Sequence, residues 1–159
     1  VSCWNLATPA GAVVRHLSHR GTSWHPDDAT IARFAEPMLK VLLVEDEPLV
    51  RDMVRAFLLR AGYAVDAVGS AEEAMAMWAE SGLDLLLTDV MLPGRTGVEL
   101  AERLRAERPD LKVIYMSGNV SDPAARQSVV LPGTRFLAKP FSRSTLLDVI
   151  RALTDEPSA

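Results

Sequence analysis

The sequence predicts an α/β fold: a doubly wound parallel sheet of five strands, with helices on both faces, over residues 39–154. Three observations predict it. Five short β-rich runs recur, at 40–44, 63–68, 83–88, 111–116 and 134–138. Helical patterns lie between them, and repeated strand–helix alternation means parallel strands joined by right-handed crossovers. The first run, Val41 to Val44, is continuously apolar, as a strand buried on both faces should be.

Each element has its own local reason. "KVLLV" runs directly into Glu45, Asp46 and Glu47, and no Lys or Arg follows until Arg51. Adjacent acids at the end of a buried strand repel one another and resist desolvation, so a positive partner must come from elsewhere. "PLVRDMVRAFLLRAG" places Pro48 in a first helical turn and Gly62 as a C-terminal stop. The second strand, "YAVDAV", precedes "SAEEAMAMWAESG". That helix has Ser70 as N-cap, Glu73 three residues on as a capping box, and Gly82 as its stop. Met75, Met77 and Trp78 read as core and boundary residues. After the third strand, "LDLLLT", the segment "TGVELAERLRAERP" puts Val98, Leu100, Ala101 and Leu104 on one face and ends before Pro109. The fourth strand is "LKVIYM". "SDPAARQSVVLPG" carries a weak pattern, and a short or frayed helix is expected there. "TRFLA" and "SRSTLLDVIRALT" close the set, the last helix capped by Ser142 or Ser144.

The length of 159 residues suits one domain plus an extension. Residues 1–38 hold all three histidines and two of the three tryptophans, with little periodicity. They read as a dispensable linker, with a short helix near 28–35 begun by Asp27 or Asp28; residues 155–159 are a tail. A net charge of −4 argues against a nucleic-acid footprint, which needs a clustered basic surface. The one cysteine, Cys3, excludes an internal disulfide, and no apolar run is long enough to span a membrane. With no signal-peptide pattern at the start, a cytoplasmic location without membrane contact is expected. His16, His19 and His25 raise metal binding or a phosphohistidine, but "LSHRGT" lacks an acid after the histidine, and no kinase domain fits this length.

Ligands of open α/β sheets bind at the carboxyl ends of the strands. Glu45 and Asp46 follow the first strand, Thr88 and Asp89 the third, Ser117 and Gly118 the fourth, and Lys139 and Pro140 the fifth. Three carboxylates, a hydroxyl and a lysine thus converge on one edge. A hard dication, Mg²⁺, would neutralise the carboxylates, and Lys139 would add a fixed positive charge.

Residues 39–153 resemble the receiver domain of two-component response regulators. The elements that carry the likeness are Glu45–Asp46, "TDVMLPGRTG" with Asp89, Pro93 and Gly97, "YMSG" with Ser117, and "FLAKPF" with Lys139–Pro140. The resemblance implies a flavodoxin-like sheet of order 2-1-3-4-5. It implies phosphorylation of Asp89 by a phosphohistidine on a histidine kinase or histidine phosphotransfer protein. Mg²⁺ would be held by Asp46 directly, by Glu45 partly through water, by Asp89 and by the Met91 backbone carbonyl. Ser117 and Lys139 would contact phosphoryl oxygens, and Phe136 would be the switch aromatic. Met91 and Asn119 would line the approach to the phosphoryl group. The Lys139–Pro140 bond would be cis. The face of the last two strands and helices would be the output surface and a candidate homodimer contact. Glu45 stands where Asp is commoner and Ser117 where Thr is commoner; the family tolerates both.

The expected function is a signalling switch with self-catalysed phosphotransfer and autodephosphorylation, not a metabolic enzyme. Its context is a stand-alone regulator or, as "DVMLPGRTGVELAERLRAERPDLKVIYMSGN" favours, the C-terminal receiver of a hybrid sensor kinase. An aspartate-nucleophile phosphatase of the haloacid type would need a second Asp where Met91 stands. A dinucleotide enzyme would need a Gly-rich turn where Glu-Asp-Glu-Pro stands. A degenerate receiver that only docks proteins is the remaining alternative.

Overall fold

The computed structural model describes residues 39–78, 82–118 and 131–155. Its elements run β1 (Lys40–Val44), α1 (Pro48–Arg60), β2 (Ala64–Val68), α2 (Ala71–Trp78), β3 (Leu85–Asp89), α3 (Gly97–Glu107), β4 (Lys112–Ser117), β5 (Thr134–Ala138) and α4 (Arg143–Thr154). The sheet order is β2-β1-β3-β4-β5, and every neighbouring pair is parallel. The expected strands are all present. Two are displaced by a residue at their ends: β3 finishes on Asp89 and β4 on Ser117, so both residues belong to the ladder rather than to the loop after it. The weak helix expected within 121–133 lies outside the described residues up to 130, and 131–133 form a bend and turn; the extension at 1–38 with its helix near 28–35, Asn119 and the tail beyond Asp155 also lie outside the described residues.

Alternation along the strands divides the apolar side chains between two cores. Leu42, Val44, Leu86, Val113 and Tyr115 face α2 and α3, meeting Ala74, Leu100 and Leu104. Val41, Leu43, Leu85, Leu87, Ile114 and Met116 face α1 and α4, meeting Val54, Leu58, Leu146 and Ile150. Each fully buried Leu or Ile contributes about 1.5–3 kcal/mol over leaving it exposed. Truncating one to Ala would cost about 2–5 kcal/mol once the cavity is included. The edge strand β2 is only partly buried, which lets it carry Asp66 paired to Lys40 at 3.2 Å.

Local chemistry sets the helix ends that matter for the site. Pro48 occupies the first turn of α1, where its missing N–H costs nothing, and Gly62 beyond the end takes φ +91°, a conformation open to glycine. At α2, Ser70 Oγ accepts from the Glu73 N–H, but Glu73 reaches back one residue further than a capping box requires, to the Gly69 N–H at 2.9 Å. The full reciprocal box belongs to α3, between Thr96 and Glu99. Ser142, not Ser144, caps α4 by accepting from the Thr145 N–H.

Register decides what meets at the sheet's carboxyl edge. Val44 pairs with Thr88, Asp89 with Met116, and Ser117 with Ala138. Glu45, the next residue out from Val44, therefore stands level with Asp89, and Lys139 lies two residues beyond Leu137, the β5 residue at that level.

Candidate functional site

Glu45, Asp46 and Asp89 each offer a carboxylate oxygen to one point, these oxygens lying within 4.8 Å of one another. Glu45 and Asp89 are buried, and Asp46 is exposed. The positive partner that the acidic run demands is Lys139. Its Nζ donates to Glu45 Oε2 at 2.6 Å and also to Asp89 Oδ2. The Lys139 backbone N–H donates to the Ser117 carbonyl at 2.8 Å, and the Lys139–Pro140 peptide is cis, as the resemblance implies. The lysine is thereby tied to the end of β4 as well as to both carboxylates.

The remaining carboxylate oxygens are met by backbone amides. Asp89 Oδ1 accepts from the Met91 N–H at 2.8 Å, and Glu45 Oε1 lies 3.4 Å from the Glu47 N–H. Burial pushes the Glu45 carboxyl above its ordinary value, although the Lys139 hydrogen bond and charge pull it down. For Lys139, burial alone would lower the ammonium value, but hydrogen bonds and attraction from Asp89 and Glu45 outweigh it and raise it. The lysine therefore stays charged throughout the neutral range.

Of the residues singled out at the strand ends, the structure brings together Glu45, Asp46, Asp89 and Lys139. Ser117 is buried at the end of β4, and Phe136 is half-buried on β5, packed against the α2–α3 core. Met91 is 65% exposed, and its backbone N–H donates to Asp89 Oδ1. Asn119 lies outside the described residues.

Two contributions go beyond the motif, which includes Gly97 without a physical reason and does not include Arg51. Gly97 packs its Cα against the backbone of Asp89: a Cβ there would fall 1.9 Å from the Asp89 carbonyl oxygen and 2.7 Å from Thr88 Oγ1. Arg51 donates from Nη1 to the carbonyls of Glu45 at 2.7 Å and Asp46 at 3.3 Å. The available signal for Arg51 was its position, since a cation in a first helical turn opposes the helix dipole and needs a specific partner.

Chemically, the cluster is a set of hard oxygen donors around a carboxylate, with one ammonium beside it. Soft ligands are absent from it, the donor count is small, and one donor faces solvent. These properties fit Mg²⁺, which keeps several waters and takes few protein oxygens.

Comparison with known proteins agrees with this architecture. A family model described as the response regulator receiver domain matches residues 41–151. The chain is 38% identical over 119 residues to the sensor kinase CckA of Brucella abortus, covering 73% of this chain and 12% of that protein. It spans between 47% and 52% of the length of several curated regulators it matches. Among solved structures, the chemotaxis protein CheY4 of Vibrio cholerae is 29% identical with a TM-score of 0.68, covering 73% of this chain and 98% of that one. The response regulator TrrA of Thermotoga maritima, solved in complex with Mg²⁺–BeF, is 27% identical with a TM-score of 0.64, covering 73% of this chain and 99% of that one.

Proposed function

The chain belongs to the response regulator receiver domain family, and from that premise we propose that Asp89 accepts a phosphoryl group from a phosphohistidine on a histidine kinase or histidine phosphotransfer protein. The observation that carries this reading is the convergence of Glu45, Asp46 and Asp89 on one point, with Lys139 bonded to two of the three. An Asp89 carboxylate oxygen attacks phosphorus. As the new O–P bond forms, the N–P bond to the partner's imidazole breaks, and its electron pair stays on that nitrogen.

Asp46, Glu45, Asp89 and the Met91 carbonyl would hold Mg²⁺, Asp46 directly and Glu45 partly through water. The ion supplies neutralisation of the charge that otherwise keeps a carboxylate from an anionic phosphoryl group. Lys139 changes partner, leaving Asp89 for a phosphoryl oxygen, and Ser117 donates its hydroxyl to another. Movement of Ser117 toward the phosphoryl group opens room for Phe136 to turn inward. The face of β4, β5 and α4 then reads out the change, and a homodimer contact on that face is compatible with it. Residues 39–154 make the phosphate-accepting unit in this reading, with 1–38 a dispensable extension.

The test is incubation of the chain with acetyl phosphate and Mg²⁺, followed by intact mass. The wild type should gain one phosphoryl group, and Asp89→Asn, nearly isosteric, should gain none while keeping its fold. Modification of the Asp89→Asn variant would sink the assignment. A folded wild type that never gains the group from acetyl phosphate or from any kinase would leave a receiver that only docks proteins.

A further inference from the structure

Of the three carboxylates, two are held by their side chains. Lys139 and the Glu47 amide hold Glu45, and Lys139 and the Met91 amide hold Asp89. Among the described residues, no such partner holds the Asp46 side chain, and it is exposed. The direction of its Cα–Cβ bond is set by the backbone alone. The direction of a Cα–Cβ bond follows from the two planar peptide units that flank it. At Asp46 these units end in the carbonyls of Glu45 and Asp46, and Arg51 Nη1 donates to both, at 2.7 Å and 3.3 Å. One guanidinium therefore fixes both peptide planes around Asp46.

The guanidinium is itself seated. It rests on Gly69 at the end of β2, where a Cβ would lie 3.2 Å from Arg51 Nη1 and 3.9 Å from Glu73 Oε2. Glu73 accepts from the Gly69 N–H at 2.9 Å, and the Glu45 N–H donates to the Val68 carbonyl at 3.1 Å. The turns after β1 and β2 are thus joined around Arg51.

We infer that Arg51 is a positioning residue for the divalent cation, acting through the backbone of Asp46. The inference rests on the proposed Mg²⁺ site and makes a prediction whose sign separates it from electrostatics. Removing a positive charge near a cation site should tighten cation binding by Coulomb's law. Removing the anchor of a ligand should weaken it, by about tenfold or more where a supporting partner is lost.

The experiment is calorimetric titration of the full chain with Mg²⁺, for wild type, Asp46→Ala, Arg51→Met and the double variant. Arg51→Met should bind about tenfold more weakly. The double variant should be no weaker than Asp46→Ala, because Arg51 acts through that residue and the effects should not add. Binding by Arg51→Met as tight as wild type or tighter, or full additivity in the double variant, overturns the inference and leaves the site intact. A wild type that gives no Mg²⁺ isotherm overturns the site and the inference together. If Arg51→Met fails to fold, Gly69→Val replaces it, pushing the guanidinium off its seat while keeping its charge. Weaker Mg²⁺ binding is again expected, and unchanged binding again overturns the inference.

Discussion

Gly97→Ala tests the packing that supports the nucleophile. Gly97 is the first residue of α3, and it meets the last residue of β3 with no atom to spare. The added Cβ would sit 1.9 Å from the Asp89 carbonyl oxygen. Carbon–oxygen contacts below about 3.2–3.4 Å are repulsive, so helix and strand would have to part by more than about 1 Å. That movement would break the 3.0 Å hydrogen bond from the Gly97 N–H to the Val90 carbonyl. Overpacking a filled site costs about 1–3 kcal/mol, and a buried amide left unpaired costs about 1–3 kcal/mol more. The better helix propensity of Ala returns at most about 1 kcal/mol. The net loss should be about 1–5 kcal/mol, a fall of about 0.5–2.5 M in urea midpoint for a slope near 2 kcal/mol/M. Because the strain falls on the Asp89 backbone, phosphoryl acceptance per folded molecule should fall too. A variant with an unchanged midpoint and full acceptance would show that the close approach carries no weight.

Two further outcomes follow from the site. Met91→Asn should speed loss of the phosphoryl group three- to tenfold, equivalent to about 0.6–1.4 kcal/mol of barrier, since an amide at that exposed position can orient water where a thioether cannot; decay with Mg²⁺ held constant measures it, and slower decay would place the water path elsewhere. Glu45, whose carboxyl burial raises above the ordinary carboxylate range, binds its proton more readily folded than unfolded. Its contribution to stability is therefore complete below the ordinary carboxylate range and is lost as pH rises through the raised folded range. Urea midpoints in metal-free buffer should show Glu45→Gln losing less stability than wild type across that rise, and parallel curves would remove Glu45 as the source.

Most of the sheet was legible because its signals are local. Period and capping chemistry are written within a dozen residues, so the alternation of strands and helices and the cap at Ser70 could be read directly, whereas the strand order came from the family resemblance and the choice of Ser142 over Ser144 from the structure. Strand ends were less legible. Asp89 and Ser117 look like loop residues in composition, yet β3 and β4 extend through them because their neighbours in the ladder are already paired. The site residues were legible as a set because the strand-end rule converts sequence position into spatial position. What the sequence could not reveal was how the acids share their counter-charge. The first cation to follow the acids in the chain, Arg51, binds backbone carbonyls, whereas the ammonium that meets the carboxylates is 94 residues from Glu45.

That division of labour bears on how such a site folds at all. Three clustered carboxylates oppose the fold, and a site built for a cation must exist before the cation arrives. Lys139 resolves the conflict for Glu45 and Asp89, the buried pair, and leaves Asp46, the exposed one, to be solvated by water. A fixed ammonium cannot satisfy all three oxygens that converge here, so the cluster keeps an excess of negative charge at its open side. The charge that stabilises the buried half and the charge that remains to attract a dication are therefore set by the same geometry. Replacing Lys139 by an apolar residue would expose both costs together, leaving Glu45 buried without its counter-ion and making the fold depend on the metal for neutralisation. The lysine thus carries a structural role before any phosphoryl group arrives, and the proposed transfer reuses a bond that folding had already required.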